Sequence, residues 1–154
     1  MNKLLIGLAA LALAGAALAQ NSIGIAYGEG RLRTTRDTDA ITKFWVASTE
    51  AGIYGTFAYA EKWQRSPKPD VEIFMNRIEA FSCEGMLVAF AGQGYLNGTP
   101  RVILVQAQDG VWYPDLFAIA AFHPISGTLL YDRWGVFTRG GVSVLCDLPN
   151  GPDN

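Results

Sequence analysis

The chain has 154 residues, of which 50% are hydrophobic and 17% charged, with a formal net charge of −2 at pH 7. With 12 Lys and Arg against 14 Asp and Glu, and no basic cluster larger than Arg31, Arg33 and Arg36, it lacks the cationic face that displaces counterions from a phosphate backbone. Nucleic acid is therefore excluded as the expected partner, and one histidine with two cysteines argues against a zinc centre.

Residues 1–19 read as an export signal. Lys3 leads into an apolar run over 4–17, and Ala17-Leu18-Ala19 supplies the small-x-small pattern at which such leaders are cut. A bilayer-spanning helix needs about 20 apolar residues, and no basic stop-transfer flank follows, so no membrane span is expected after cleavage. The leader is expected to be a helix outside the domain. The mature chain then begins at Gln20 and forms one domain over 20–154, secreted or periplasmic, with a frayed tail over 146–154.

The segments that follow are short, alternating, and rich in Val, Ile, Phe, Tyr and Trp between Gly, Pro, Asn and Asp punctuation, which predicts an all-β domain. A first strand spans 22–33, with Gly24, Gly28 and Gly30 marking bulges or the close approach of another backbone. After a polar loop over 34–39, strands over 41–48 and 53–63 flank a turn at Ala51-Gly52, and Phe57 and Tyr59 share one side of the second. Ser66-Pro67-Lys68-Pro69-Asp70 interrupts the pairing because neither proline can donate to a ladder.

Val71, Ile73 and Met75 then define an inward face, 78–83 continues as strand or extended linker, and Glu84-Gly85 turns into a long strand over 86–96. Asn97-Gly98 is the sharpest hairpin cue, since both residues tolerate the positive φ of a type I′ turn. It leads into 101–108, where Ile103, Val105 and Ala107 share a face, and Asp109-Gly110 closes that strand. Three further strands are read over 116–122, 128–132 and 141–146, with Gly140-Gly141 opening the last, on which Val142, Val144 and Cys146 share a face. Turn cues at these intervals predict an antiparallel β-sandwich, immunoglobulin-like or related, in preference to a barrel. Cys83 and Cys146 are expected to pair outside the cytosol, closing a long loop worth about 4 kcal/mol by the chain-entropy argument.

The run Gly92-Gln93-Gly94-Tyr95-Leu96-Asn97-Gly98, the strand 102–107 ending in Asp109-Gly110, Asp115-Leu116-Phe117-Ala118-Ile119, Gly127-Thr128-Leu129-Leu130-Tyr131-Asp132 and Gly140-Gly141-Val142-Ser143-Val144 carry a resemblance. Together they resemble a module found near the C-termini of bacterial secreted and surface proteins, the post-COAP-type domain. The likeness is specific from Gly92 to Val144 and looser over 44–59. It implies an immunoglobulin-like or related β module without an assigned activity, hence a noncatalytic extracellular part. Two features depart from the pattern: the module stands alone behind a leader, and the Cys83, Cys146 pair does not belong to it.

Catalytic signatures are sparse. His123 precedes Pro124 at a strand end, Ser82 and Ser143 have no identifiable base, and G-x-S-x-G, H-E-x-x-H and Cys-His arrangements are missing. A small hydrolase of cell-wall or polysaccharide material would have to use carboxylates, such as Glu79 with Glu84 or Glu61 with Asp70. Asp109, Asp115 and Asp132 at loop and strand ends are weak calcium candidates, which would make the chain a calcium-stabilised adhesion-type module, although Asx turns explain them equally well. Trp112, Tyr113 and Trp134 form the candidate binding surface, suited to stacking on a sugar or anchoring a protein. The expectation is a noncatalytic module, without cofactor, that binds or associates with an envelope protein or glycan.

Overall fold

The computed structural model describes residues 22–34, 38–63 and 67–146. The leader, Arg36, Ser66 and the tail beyond Cys146 lie outside the described residues. Eight strands follow one another: β1 (Gly24–Thr34), β2 (Asp39–Thr49), β3 (Gly52–Lys62), β4 (Val71–Glu84), β5 (Leu87–Leu96), β6 (Thr99–Gln108), β7 (Leu116–Phe122) and β8 (Leu129–Cys146). Each pairs antiparallel with the next, and β8 returns to β1, so the sheet closes into a barrel.

This corrects the expected immunoglobulin-like sandwich. The segments read as separate strands over 128–132 and 141–146 are one 18-residue strand, whose first half pairs with β7 and whose second half pairs with β1. Gly140, at φ +77, does not open a new strand but lies inside this one, paired with Gly30 and two residues beyond the register shift at which Thr138 is passed over between Arg139 and Phe137. Opposite it is Gly30, where a Cβ would lie 2.0 Å from the Arg139 carbonyl oxygen; the missing side chain lets β1 and β8 come together there. With that ladder made, no strand edge remains to define two sheets.

Period-two alternation then divides the residues between an inner and an outer wall. Phe44, Phe57, Phe90 and Phe117 meet at the centre, with ring centroids 5.3 Å apart for Phe44 and Phe90 and 6.2 Å for Phe57 and Phe117. Ile103, Val105 and Val88 complete a fully buried interior. Gly28 belongs to the same packing: a Cβ there would fall 2.3 Å from the Phe44 ring. The barrel is a filled one.

The two ends differ. At one, Cys83 of β4 is bonded to Cys146 of β8, strands on opposite sides of the barrel, and the Ser22 N–H donates to the Phe81 carbonyl at 3.2 Å. These links pinch that end shut. The Asp115 carboxylate accepts N–H bonds from Gly110 at 2.8 Å and Val142 at 2.5 Å, fastening the β6–β7 loop to β8 just past Gly140-Gly141. The other end carries the Asn97-Gly98 hairpin, with Asn97 at φ +48 and Gly98 at φ +78, as the sequence predicts.

Candidate functional site

On the outer wall, successive registers place Ala89 opposite Gln106, Gln106 opposite Ala118, and Ala118 opposite Trp134. The next row toward the disulfide end reads Leu87, Gln108, Leu116 and Val136. Ala118 is small and its neighbours are large, so the wall dips into a trough of about 370 Å³ lined by Leu87, Gln106, Gln108, Leu116, Ala118 and Trp134, with Ala107 and Phe117 beneath. Trp134 is 39% exposed and Leu116 40%. The loop that joins Gln108 to Leu116 carries Trp112 at 89% and Tyr113 at 82% exposure. Of the three predicted surface aromatics only Trp134 lines the trough; Trp112 and Tyr113 lie on the adjoining loop, and no ring contact joins either to Trp134 among the described residues.

A second constellation sits inside the wall, toward the hairpin end. Alternation on β3 carries Phe57, Tyr59 and Glu61 inward, and Glu61 is 0% exposed. Its carboxylate accepts the Thr38 hydroxyl at 2.8 Å, the Tyr59 hydroxyl at 3.0 Å, the Tyr131 hydroxyl, and the Arg133 Nε–H at 3.2 Å. The Arg133 guanidinium also lies 4.7 Å from the Tyr131 ring centroid. Burial is the largest influence on the Glu61 carboxyl and pushes its pKa up. The three hydroxyls, Tyr131 foremost, and the Arg133 charge outweigh burial and hold the carboxyl below the usual range. Burial drives both phenols the other way, well above the ordinary tyrosine value, with the neighbouring Glu61 carboxylate adding to the effect. Four donors occupy the four lone-pair positions of the carboxylate, leaving none aimed at a substrate.

The remaining candidates are dispersed. Glu79 is on the surface, bound by Arg77 at 3.1 Å and Gln93 at 3.2 Å, and Glu84 is exposed at the end of β4. Asp70 accepts the Trp63 N–H at 2.8 Å and so caps the end of β3. His123 is a turn residue whose Nδ1 accepts the N–H groups of Ile125 and Ser126, both at 3.2 Å. Asp115 is committed to backbone N–H groups, and no group of three His, Cys, Asp or Glu able to hold a metal occurs among the described residues, so Asp109, Asp115 and Asp132 do not converge. Cys83 and Cys146 form the expected intramolecular disulfide.

Sequence reading missed Tyr131 and Arg133 as partners of Glu61, and Gln106 with Gln108 as trough residues. The signals were present but incomplete: Glu61 keeps phase with Phe57 and Tyr59, and Gln106 lies on the face opposite Ile103 and Val105. Which strands flank them depends on closure.

Fold and site define a closed, filled eight-stranded antiparallel barrel with an aromatic trough on its outside. The chain matches no protein-family model, no curated protein and no solved structure.

Proposed function

We propose that this is a noncatalytic, exported module of the cell envelope that works by binding through the outer wall of its barrel. The observation that carries this reading is where space is left: rings and aliphatic side chains occupy the interior, whereas the trough beside Trp134 and Leu116 stands open. Ligand sites favour concave, largely apolar surfaces with a few polar groups, which describes the trough. The leader pattern of 1–19 and a disulfide both suit an oxidising compartment.

Water rather than lipid around the wall is supported by its charges. Glu29 and Lys43 pair at 3.5 Å and Arg77 and Glu79 at 3.1 Å on outward rows, while the interior is packed mainly with apolar side chains around one paired Glu61–Arg133 site, unlike the polar lumen of a transmembrane barrel. No helix among the described residues is long and apolar enough to cross a membrane.

An amide-resolved NMR titration of the protein with fractionated envelope polysaccharides and envelope proteins tests the reading. Shifts confined to Gln106, Ala118, Trp134 and the 111–113 loop are expected. Shifts centred on inward residues such as Phe90 or Ile103 would contradict it. Turnover of a polysaccharide that Glu61→Gln abolishes would replace it with the carboxylate-hydrolase reading.

A further inference from the structure

We propose that the trough between Gln106 and Trp134 is a subsite for one unit of a neutral saccharide, an inference that rests on the surface-binding reading above and supplies its ligand class. The geometry begins with the register. Gln106 and Trp134 stand two strands apart with Ala118 between them, and a strand spacing of about 4.8 Å separates their backbones by about 10 Å. Only a methyl group rises from the floor, so a pyranose ring fits between an indole on one side and an amide on the other.

The chemistry of the walls selects among ligands. Sugars present an apolar C–H face and a rim of hydroxyls, each both donor and acceptor. Trp134 and Leu116 offer an apolar surface for the first. The Gln106 and Gln108 side chains offer a carbonyl and an NH2 group each for the second. Neither amide, nor the Trp134 indole N–H, has a hydrogen-bond partner among the described residues. With Gln106 half-buried and Gln108 exposed, both amides are free to exchange water for ligand hydroxyls at a modest net gain beside the exposed indole.

The same inventory disfavours other occupants. No Asp, Glu, Lys or Arg lines the trough, so a charged ligand finds no counter-charge, and Asp132, two residues before Trp134 on the same face, repels acidic sugars. A proline-rich peptide prefers a groove between aromatic rings, and here the wall facing the indole is an amide.

The test is a printed array of neutral glucans, xylans, galactomannans and chitooligosaccharides beside acidic glycans, followed by NMR titration with the retained oligosaccharide. Binding of a neutral glycan that shifts the Trp134 indole and the Gln106 side-chain NH2 signals is expected. Trp134→Ala should weaken it about tenfold and Gln106→Ala about fivefold, in line with the modest worth of one stacking contact and one hydrogen bond. Trp134→Phe should retain most of the affinity. Unchanged amide dispersion in each variant establishes that the barrel is intact.

Absence of any retained neutral glycan, retention of acidic glycans alone, or neutral binding that survives Trp134→Ala would each overturn the saccharide assignment. Decaproline or an envelope protein bound in a Trp134-dependent way, with no glycan retained, would overturn it while leaving the surface-binding reading in place. If no ligand of any class depended on Trp134, Trp112 or Tyr113, both would fall.

Discussion

Glu61 is the residue on which the most physical chemistry converges. A buried carboxylate is costly unless paired and hydrogen-bonded, and this one holds Arg133, itself 11% exposed at the side chain, together with the hydroxyls of Tyr59 on its own strand and of Thr38 and Tyr131. Glu61→Gln leaves the guanidinium without a counter-charge and is expected to cost about 3 kcal/mol at pH 7. The folded carboxyl titrates below its unfolded value, so its stabilisation is whole above about pH 4.3 and drains away as pH falls through the folded value. Urea unfolding of both proteins across pH 3 to 7 should show the gap between wild type and variant closing in acid; a gap independent of pH contradicts this account of the cluster.

The alkaline side has the opposite origin. Tyr59 and Tyr131 stay protonated in the folded protein beyond the pH of about 10 at which unfolded phenols ionise, so stability falls as pH rises past 10. Tyr131→Phe should flatten that decline in the same unfolding series, and an unaltered slope would remove Tyr131 from the explanation. The inward phase of Glu61 is visible beside Phe57 and Tyr59, but its partners on β8 lie some seventy residues away, as the separation of 72 between Glu61 and Arg133 records. Alternation assigns a side chain to a face and says nothing about which distant strand supplies its neighbour.

At the scale of elements, β8 and the loop before β7 decide the architecture. Asp115 ties Gly110 of the β6–β7 loop to Val142 of β8, so Asp115→Ala should leave two backbone donors without their acceptor and cost about 2 kcal/mol. The same geometry predicts that calcium raises the melting temperature no more than magnesium does, because the carboxylate is already committed; a calcium-specific rise lost in Asp115→Ala would contradict it. The Cys83–Cys146 bond closes 63 residues and joins strands that do not pair, and its reduction should lower stability by about 4 kcal/mol in denaturant unfolding. A loss near zero would mean that the pinched end holds without it. Hairpins are the legible elements, since Asn97-Gly98 and Glu84-Gly85 announce their turns through residues that accept positive φ. The Gly140-Gly141 pair reads like another turn because glycine serves turns and the close approach of strands alike; a Cβ on Gly140 would lie 2.0 Å from the Glu29 carbonyl oxygen.

For the whole molecule, the distinction between sandwich and barrel rests on one ladder. Both architectures are built from hairpins with alternating inward residues, and both bury the same Phe, Ile and Val side chains, so local pattern favours neither. Pairing of β1 with β8 joins the two ends of the described chain, a contact that no local residue signal encodes. Closure has a functional consequence, because rings that fill the interior leave the outer wall as the place where a partner finds a concave, partly apolar surface.

Backbone nuclear Overhauser contacts in the uniformly labelled protein test that claim most directly. Closure predicts cross-strand contacts between Tyr27 and Ser143 and between Ile25 and Leu145, together with ring contacts of Phe44 to Phe90 and Phe57 to Phe117 across the interior. A spectrum in which β1 and β8 each showed a solvent-exposed, unpaired edge, or in which those rings failed to meet, would contradict a closed and filled barrel.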